Sequence, residues 1–395
     1  MIDNPWFIWK KAIAGKNKEA YTNFFNCLKE RNLAKPIVSS YPYLMNIDPV
    51  GYCNLHCPFC PTGTGELKRE KTKMHFSMYK KVMDELGPYL FHLNLFNWGE
   101  PFLNSETPEI IKYAKNFHVC TQISSNLSIP LSEEQLNKIV SSGLDVLLCS
   151  VDGASQETYQ KYRVGGNFDL TVKNMKLLNE IKKERGSMTP YIIWQFLVFR
   201  HNEHELEKAQ KKAEEIGVKI KFVKPYVYEN QINWITTIPK FSEDVSLRNR
   251  QTKETKLLHH GEINKIPINN NKPCTWLWSS TVINANGSIS PCCGISSESD
   301  DFGKIDEPFE NIRNNKNYRS AREIFTSNKS EGNTICHRCP VPDIQQALRY
   351  FDEQIIVNLL QISPQSDIPQ IMSELKQIDN ELYNKMIDIT GIKTI

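Results

Sequence analysis

Three cysteines lie close together in the run Cys53-Asn54-Leu55-His56-Cys57-Pro58-Phe59-Cys60. Their spacing is Cys-x3-Cys-x2-Cys, and no fourth cysteine stands nearby in the sequence. Structural zinc sites are normally closed by four protein ligands, and a cubane iron–sulfur cluster usually takes four thiolates. Three thiolates on a cubane leave one iron without a protein ligand and open to a small molecule. The alternatives are a chance grouping of cysteines and a zinc site completed by a distant residue.

This run resembles the cluster-binding segment of the radical S-adenosylmethionine (SAM) enzymes, including the aromatic Phe59 before the third cysteine. The resemblance implies that Cys53, Cys57 and Cys60 hold a 4Fe-4S cluster whose fourth iron binds the amino and carboxylate groups of SAM. It also implies that one electron from the cluster cleaves SAM to a 5'-deoxyadenosyl radical, which abstracts a substrate hydrogen. The cofactor carries this chemistry, while the protein orients it and excludes water.

Strand-like and helix-like segments alternate after the first forty residues. Apolar or β-branched runs occur at 44–48, 91–97, 119–124, 146–151, 191–199 and 219–223, with amphipathic stretches between them at 77–86, 107–115, 132–142, 171–183 and 203–216. Repeated βα units predict an α/β fold with a parallel sheet and outer helices. Six strands fall short of a closed eight-stranded barrel, and the resemblance implies a partial (β/α)6 TIM-like barrel. Active residues should then lie at the carboxyl ends of the strands.

The run Asn97-Trp98-Gly99-Glu100-Pro101 follows the second predicted strand. The radical SAM family often has Gly-Gly-Glu-Pro here, positioned for the amino group of SAM. Trp98 replaces the first of these glycines, so a close backbone approach to SAM is expected only at Gly99. Glu100 is expected to be the anionic partner of the SAM ammonium group. The alternative is an ordinary turn.

Further polar residues lie at the ends of later strands. The resemblance implies that Ser125, Ser150 and Asp152 contact the ribose hydroxyls and methionyl group of SAM, and period-2 alternation puts Ser150 and Asp152 on one strand face. Arg163 is expected to bind the SAM carboxylate, since a planar guanidinium suits a bidentate contact. Gln195 is expected to face the barrel interior. The alternatives are strand-capping polar residues and, for Arg163, a surface salt bridge.

A second cysteine set lies near the C-terminus and comprises Cys274, Cys292, Cys293, Cys336 and Cys339. This segment resembles the SPASM and twitch domains that follow many radical SAM cores. Because no cysteine follows Cys339, the resemblance implies one auxiliary 4Fe-4S cluster, held by Cys274, Cys292, Cys336 and Cys339. A turn signal at 284–288 predicts a β-hairpin that brings these cysteines together. The alternative is a zinc ribbon, which Cys-x2-Cys with two distant cysteines also fits.

Cys293 is spare in this scheme. It is either a buried structural cysteine or a thiol that returns a hydrogen atom to the substrate radical, which would make the protein an epimerase. Cys27, Cys120 and Cys149 are expected to be structural.

Composition excludes some classes of partner. Lys+Arg number 48 and Asp+Glu 45, a net charge of +3 that favours neither nucleic acid nor an acidic membrane surface. The N-terminus has no signal-peptide pattern, and no window approaches the length of a membrane span. We therefore expect a cytoplasmic protein without a membrane partner, in which 11 cysteines indicate metal ligation over disulfides. The resemblance also implies a flavodoxin- or ferredoxin-type electron donor.

The predicted organisation has five parts: an N-terminal helical extension (1–43), the radical SAM partial barrel (44–226), a linker with some helix near 241–258 (227–272), the SPASM or twitch domain (273–342) and a C-terminal helical segment (343–395). The expected activity is oxidation or epimerisation of a sugar- or aminocyclitol-type small molecule. The alternative is modification of a peptide (thioether formation, epimerisation or anaerobic maturation). A further alternative, from another functional class, is a non-catalytic iron–sulfur or zinc protein that senses redox state or scaffolds a complex.

Overall fold

A computed structural model describes residues 6–248, 255–259, 262–265, 272–326, 332–339 and 348–391. Six parallel strands form its centre, and each overlaps a strand predicted from the sequence. They are β1 (Leu44–Ile47), β2 (His92–Asn94), β3 (Cys120–Ser125), β4 (Val146–Ser150), β5 (Tyr191–Leu197) and β6 (Lys219–Val223). Each pairs in parallel with the next, as repeated βα units require. The predicted partial barrel is therefore confirmed.

Helices precede this sheet and connect its strands. α1 (Trp6–Ile13) and α2 (Lys18–Asn32) come before β1; the connecting helices are α3 (Pro61–Thr64), α4 (Phe76–Leu86), α5 (Thr107–Ala114), α6 (Glu133–Ser141), α7 (Gln156–Tyr162), α8 (Phe168–Glu184) and α9 (Leu206–Ile216). Local sequence fixes several starts: Ser132 and Gln135 form a capping box at α6, and Asn167 caps α8. Of the helices described, none combines the length and apolar character needed to cross a bilayer.

The segment expected to be a linker contains a second sheet. Its elements are β7 (Val227–Tyr228), α10 (Pro239–Ser242), β8 (Val245–Arg248), β9 (Thr255–His259) and β10 (Glu262–Lys265), and its strand order is β10-β9-β8-β7. The prediction of a helix near 241–258 is therefore wrong beyond Ser242, where strands follow. Val245 and Leu247 are buried and alternate with less buried neighbours, which is the period of a strand. Residues 249–254, 260–261 and 266–271 of this segment lie outside the described residues.

The cysteine-bearing segment extends the main sheet beyond β1. After α11 (Thr275–Ser279), β11 (Ser280–Ile283) pairs in parallel with β1, and β12 (Ser288–Ser290) and β13 (Gly303–Lys304) follow in antiparallel order. Gly287 in the β11–β12 turn has φ +80°, a conformation that favours glycine. The predicted hairpin is confirmed, and it is fused to the barrel sheet, not tethered beside it.

The helical termini close the amino end of the barrel. α12 (Phe309–Arg313) and α13 (Lys316–Glu323) belong to the cysteine-bearing segment, and α14 (Arg349–Ile362), α15 (Ile368–Ile378) and α16 (Asn380–Thr390) follow that segment. Trp9 of α1 donates a hydrogen bond to Nδ1 of His92, the first residue of β2, and Phe351 of α14 packs on the same imidazole. Because these side chains occupy the amino end, the open end of the barrel is the carboxyl end of its strands.

Candidate metal centre and cofactor cavity

The loop after β1 brings the first three cysteines to one cavity of about 150 Å³. Cys53, Cys57 and Cys60 all line this cavity, whereas His56 of the same run is not among its lining residues. Within the loop the Cys60 N–H donates to the Cys57 carbonyl at 3.1 Å, and α3 begins directly after Cys60; the His56 N–H donates outside it, to the Val164 carbonyl at 2.9 Å. Three thiolates and one open side fit a cubane cluster with a free iron.

Glu100 lies buried at the carboxyl end of β2 and lines the cavity. Its carboxylate accepts hydrogen bonds from the Ser125 hydroxyl at 2.7 Å and from the Asn126 N–H at 2.8 Å. Burial raises the pKa of Glu100 from its ordinary 4.5 to about 7, and these hydrogen bonds oppose the rise. A buried carboxylate held in this way can receive an amino group that enters the cavity.

Gly99 is required by packing against the start of the cysteine loop. A Cβ atom at this position would lie 1.7 Å from the Val50 carbonyl oxygen. The neighbouring Glu100 N–H donates to the Tyr52 carbonyl at 2.9 Å, which fixes the same approach. The close backbone contact at Gly99 is thus with the chain itself, although Gly99 also lines the cavity.

Ser150 and Asp152, expected on one face, occupy different surroundings. Ser150 lines the cavity and its hydroxyl lies 3.1 Å from that of Ser124. Asp152 is fully buried and is not among the lining residues; one of its oxygens binds Nε of Arg163 at 2.5 Å and the other accepts the Leu197 N–H. Arg163 does line the cavity, with Nη1 3.7 Å from the Cys57 sulfur. Asp152 therefore holds the guanidinium in place.

Gln195 pairs in register with Ser150 across β4 and β5, so both side chains project from the same sheet face. Gln195 is nevertheless not among the residues that line the cavity.

Two features near the cavity escape prediction from the sequence. Asn126 lines it, with Nδ2 3.7 Å from the Cys53 sulfur, and only its place at a strand end could have indicated this. The β7–β10 sheet packs on Phe59 of the cysteine run: the Phe59 and Tyr228 rings are 5.7 Å apart, and the Tyr226 hydroxyl donates to the Phe59 carbonyl. No local pattern in 227–272 announces that contact.

The second cysteine set is assembled from three separate elements. Cys274 lies directly before α11, Cys292 and Cys293 follow β12, and Cys336 and Cys339 flank a turn in which the Cys339 N–H donates to the Cys336 carbonyl at 3.3 Å. The pKa of the Cys274 thiol is raised to about 12, chiefly by burial and to a smaller extent by the charges of Cys339 and Cys293.

The spacing of the thiols bears on the kind of metal site. Within the described parts of the chain, no three His, Cys, Asp or Glu side chains are close enough together to bind a single metal ion. A cubane cluster needs a wider set, because each thiolate binds its own iron atom. Both sets consist of cysteine thiolates, which are the donors of iron–sulfur clusters.

Comparison with known protein families supports iron–sulfur clusters at both cysteine sets. Residues 47–213 match the radical SAM superfamily, and residues 274–340 match SPASM, an iron–sulfur cluster-binding domain. The partial barrel with two cysteine sets is thus the architecture of a radical SAM enzyme with an auxiliary cluster domain. The chain belongs to the radical SAM superfamily; its cofactors are a 4Fe-4S cluster with SAM and an auxiliary iron–sulfur cluster.

Individual relatives match part of the chain. Mycofactocin maturase MftC of Mycolicibacterium smegmatis is 30% identical over 128 residues, 32% of each protein. PqqA peptide cyclase of Granulibacter bethesdensis is 26% identical over 168 residues, 42% of each. Streptococcus suis SuiB, solved bound to precursor peptide SuiA, shares the fold with a TM-score of 0.52 and 14% identity, over 80% of this chain and 72% of that one. The sequence matches thus span about a third to two fifths of the relatives' length.

Proposed function

We propose that this enzyme modifies a peptide by radical chemistry started at the SAM cavity. The observation that carries the choice of substrate is the sequence similarity to a maturase and a peptide cyclase. Of the two activities that the sequence leaves open, this similarity favours peptide modification over oxidation of a sugar-type molecule.

Cys53, Cys57 and Cys60 would hold the catalytic cluster, and Cys274, Cys292, Cys336 and Cys339 the auxiliary one. When bound, the catalytic cluster supplies the electron that cleaves SAM to the hydrogen-abstracting radical. The rest of the site binds and orients. Its buried donors and acceptors are held by hydrogen bonds before SAM arrives, which lowers the cost of ordering them on binding.

Two charged side chains would fix the methionyl end of SAM. Glu100 accepts hydrogen bonds from its amino group, in a place where Ser125 and Asn126 already orient the carboxylate. Arg163, held by Asp152, binds its carboxylate. Ser124 and Ser150 line the cavity and offer hydroxyls to the ribose. With the amino and carboxylate groups fixed, SAM presents its sulfonium in one orientation.

The test starts from anaerobically reconstituted protein with SAM and dithionite, followed by chromatography of 5'-deoxyadenosine. Synthetic peptides encoded by short reading frames beside this gene are then added and analysed by mass spectrometry. Loss of two hydrogens, or incorporation of solvent deuterium without other mass change, is the expected result.

Unchanged peptides together with consumption of aminocyclitols or sugars would overturn the peptide proposal and restore the small-molecule activity. Purified protein that holds zinc, takes up no iron and releases no 5'-deoxyadenosine would contradict both activities.

A further inference from the structure

Trp98 links the cofactor cavity to the auxiliary cysteine segment. Trp98 lines the cavity that contains the three cysteines of the first set. On its other side, the indole Nε1 donates a hydrogen bond to the Ile295 carbonyl oxygen at 3.0 Å. Ile295 is only two residues from Cys293 and three from Cys292. One residue therefore contacts both metal-binding regions.

The backbone of Trp98 is fixed to the barrel. Its N–H donates to an oxygen of the buried Asp48 at 2.9 Å, and its carbonyl accepts from the Thr62 hydroxyl at 2.7 Å. Thr62 belongs to α3, which begins directly after Cys60. Because both backbone polar groups of Trp98 are held, its backbone is fixed relative to the barrel and to α3, the helix that follows the first cysteine loop.

Arg69 binds the same carbonyl from outside the cavity. Its Nε and Nη2 lie 3.1 and 3.0 Å from the Ile295 oxygen, and its guanidinium also forms a buried salt bridge with Asp301 at 2.7 Å. Arg69 is not among the cavity-lining residues. Trp98, unlike Arg69, is among the residues that line the cofactor cavity.

We infer that Trp98 is a positioning residue that sets the placement of the auxiliary cluster relative to the SAM cavity. A glycine, which the family often has here, could not make this contact, because it has no side chain. Electron transfer slows steeply with distance, so a fixed placement matters to any reaction in which the auxiliary cluster exchanges an electron with the substrate radical. The inference holds for peptide and small-molecule substrates alike.

The decisive variant is Trp98→Phe, which keeps an aromatic ring in the cavity and removes only the indole N–H. The matched control is Trp234→Phe, the same change at an indole that packs 5.2 Å from the Phe59 ring. Trp98→Gly tests loss of the whole side chain. Each protein is loaded with both clusters and compared with wild type without substrate, so the result does not depend on the proposed activity.

Two quantities are measured. The first is hydrogen–deuterium exchange of residues 292–298, and the second is the magnetic interaction between the two reduced clusters, followed by electron paramagnetic resonance. Loss of one hydrogen bond should speed exchange of this segment by about two- to tenfold in Trp98→Phe and change the inter-cluster interaction. Wild-type exchange and an unchanged interaction in Trp98→Phe, or equal changes in Trp234→Phe, would overturn the inference.

Discussion

The two cysteine sets of this protein are built in opposite ways. The first occupies eight consecutive residues, from Cys53 to Cys60, in a single loop. The second spans 66 residues, from Cys274 to Cys339, and needs a helix, a hairpin and a distant turn to come together. A site made by local spacing should tolerate distant changes that a site made by tertiary packing does not.

The largest expected effect separates the two sets by function. Cys57→Ala should reduce 5'-deoxyadenosine release to background, because the first cluster is lost. Cys336→Ala should keep SAM cleavage, because Cys336 is not among the residues that line the SAM cavity. Iron content and 5'-deoxyadenosine release measure both. If Cys336→Ala abolished SAM cleavage while the first cluster kept its spectrum, the separation would be wrong.

A buried ion pair between the termini tests the dependence on packing. Arg31 and Asp352 are 2.8 Å apart, almost fully buried, and share their network with Ser279 at the end of α11, the helix that follows Cys274. Asp352→Ala should lower the free energy of unfolding by about 3–5 kcal/mol, because it leaves a buried charge unpaired. Denaturant unfolding of the apoprotein measures this loss.

The auxiliary cluster should be lost before the first one in Asp352→Ala, as followed by iron content and spectra. The control is Asp84→Ala, which removes an exposed ion pair with Lys80 and should change little. Equal loss of both clusters would show that the two sets do not differ in their dependence on packing.

A smaller effect concerns pH and Glu100. Its pKa of about 7 lies above the ordinary 4.5, so near neutrality part of the SAM-free protein carries a neutral Glu100. The affinity for SAM should therefore rise between about pH 6 and about pH 8 as the carboxylate forms. Glu100→Gln should bind SAM roughly 10- to 100-fold more weakly and lose this rise, since a hydrogen bond to a charged group is replaced. Calorimetric measurement of SAM binding to the wild type and to Glu100→Gln at several pH values tests this prediction.

The same shift has a consequence for stability. The native state of the SAM-free protein holds the Glu100 proton more tightly than the unfolded chain, so the contribution of Glu100 to stability should fall as pH rises from about 4.5 to about 7. A pH dependence of unfolding in this window that is identical in Glu100→Gln would contradict the assignment.

The smallest effect is expected at Cys293. Burial raises the pKa of its thiol to about 11. Cys293→Ser should leave both clusters and SAM cleavage close to wild type if the four other cysteines of the set hold the auxiliary cluster. Solvent deuterium in the product distinguishes its roles: loss of deuterium incorporation in Cys293→Ser, with SAM cleavage intact, would identify it as the hydrogen donor. Loss of the auxiliary cluster would instead make it a ligand.

The alternation of strand-like and helix-like segments predicts most of the fold. Each strand and helix can be recognised from the spacing of apolar residues within its own short segment. The parallel sheet with outer helices follows directly from this alternation, whereas the partial barrel is implied by the family resemblance and the β11–β12 hairpin by the turn signal at 284–288. The fold of the 227–272 segment does not follow from it, because its strands are short and their described buried residues pack against Phe59 and its neighbours, far away in the sequence. The same holds for Asp152, whose face of the strand could be predicted but whose engagement by Arg163 could not.

The sequence by itself determined the first cysteine set, the strand ends that carry Glu100 and Ser125, and the membership in the radical SAM superfamily. All of these depend on spacing within a few residues. Only the tertiary structure decided three contacts. The terminal helices close the amino end of the barrel, the second sheet packs on the cysteine loop, and Trp98 donates a hydrogen bond to Ile295. Those contacts join residues from distant parts of the chain, and their geometry depends on how whole elements pack.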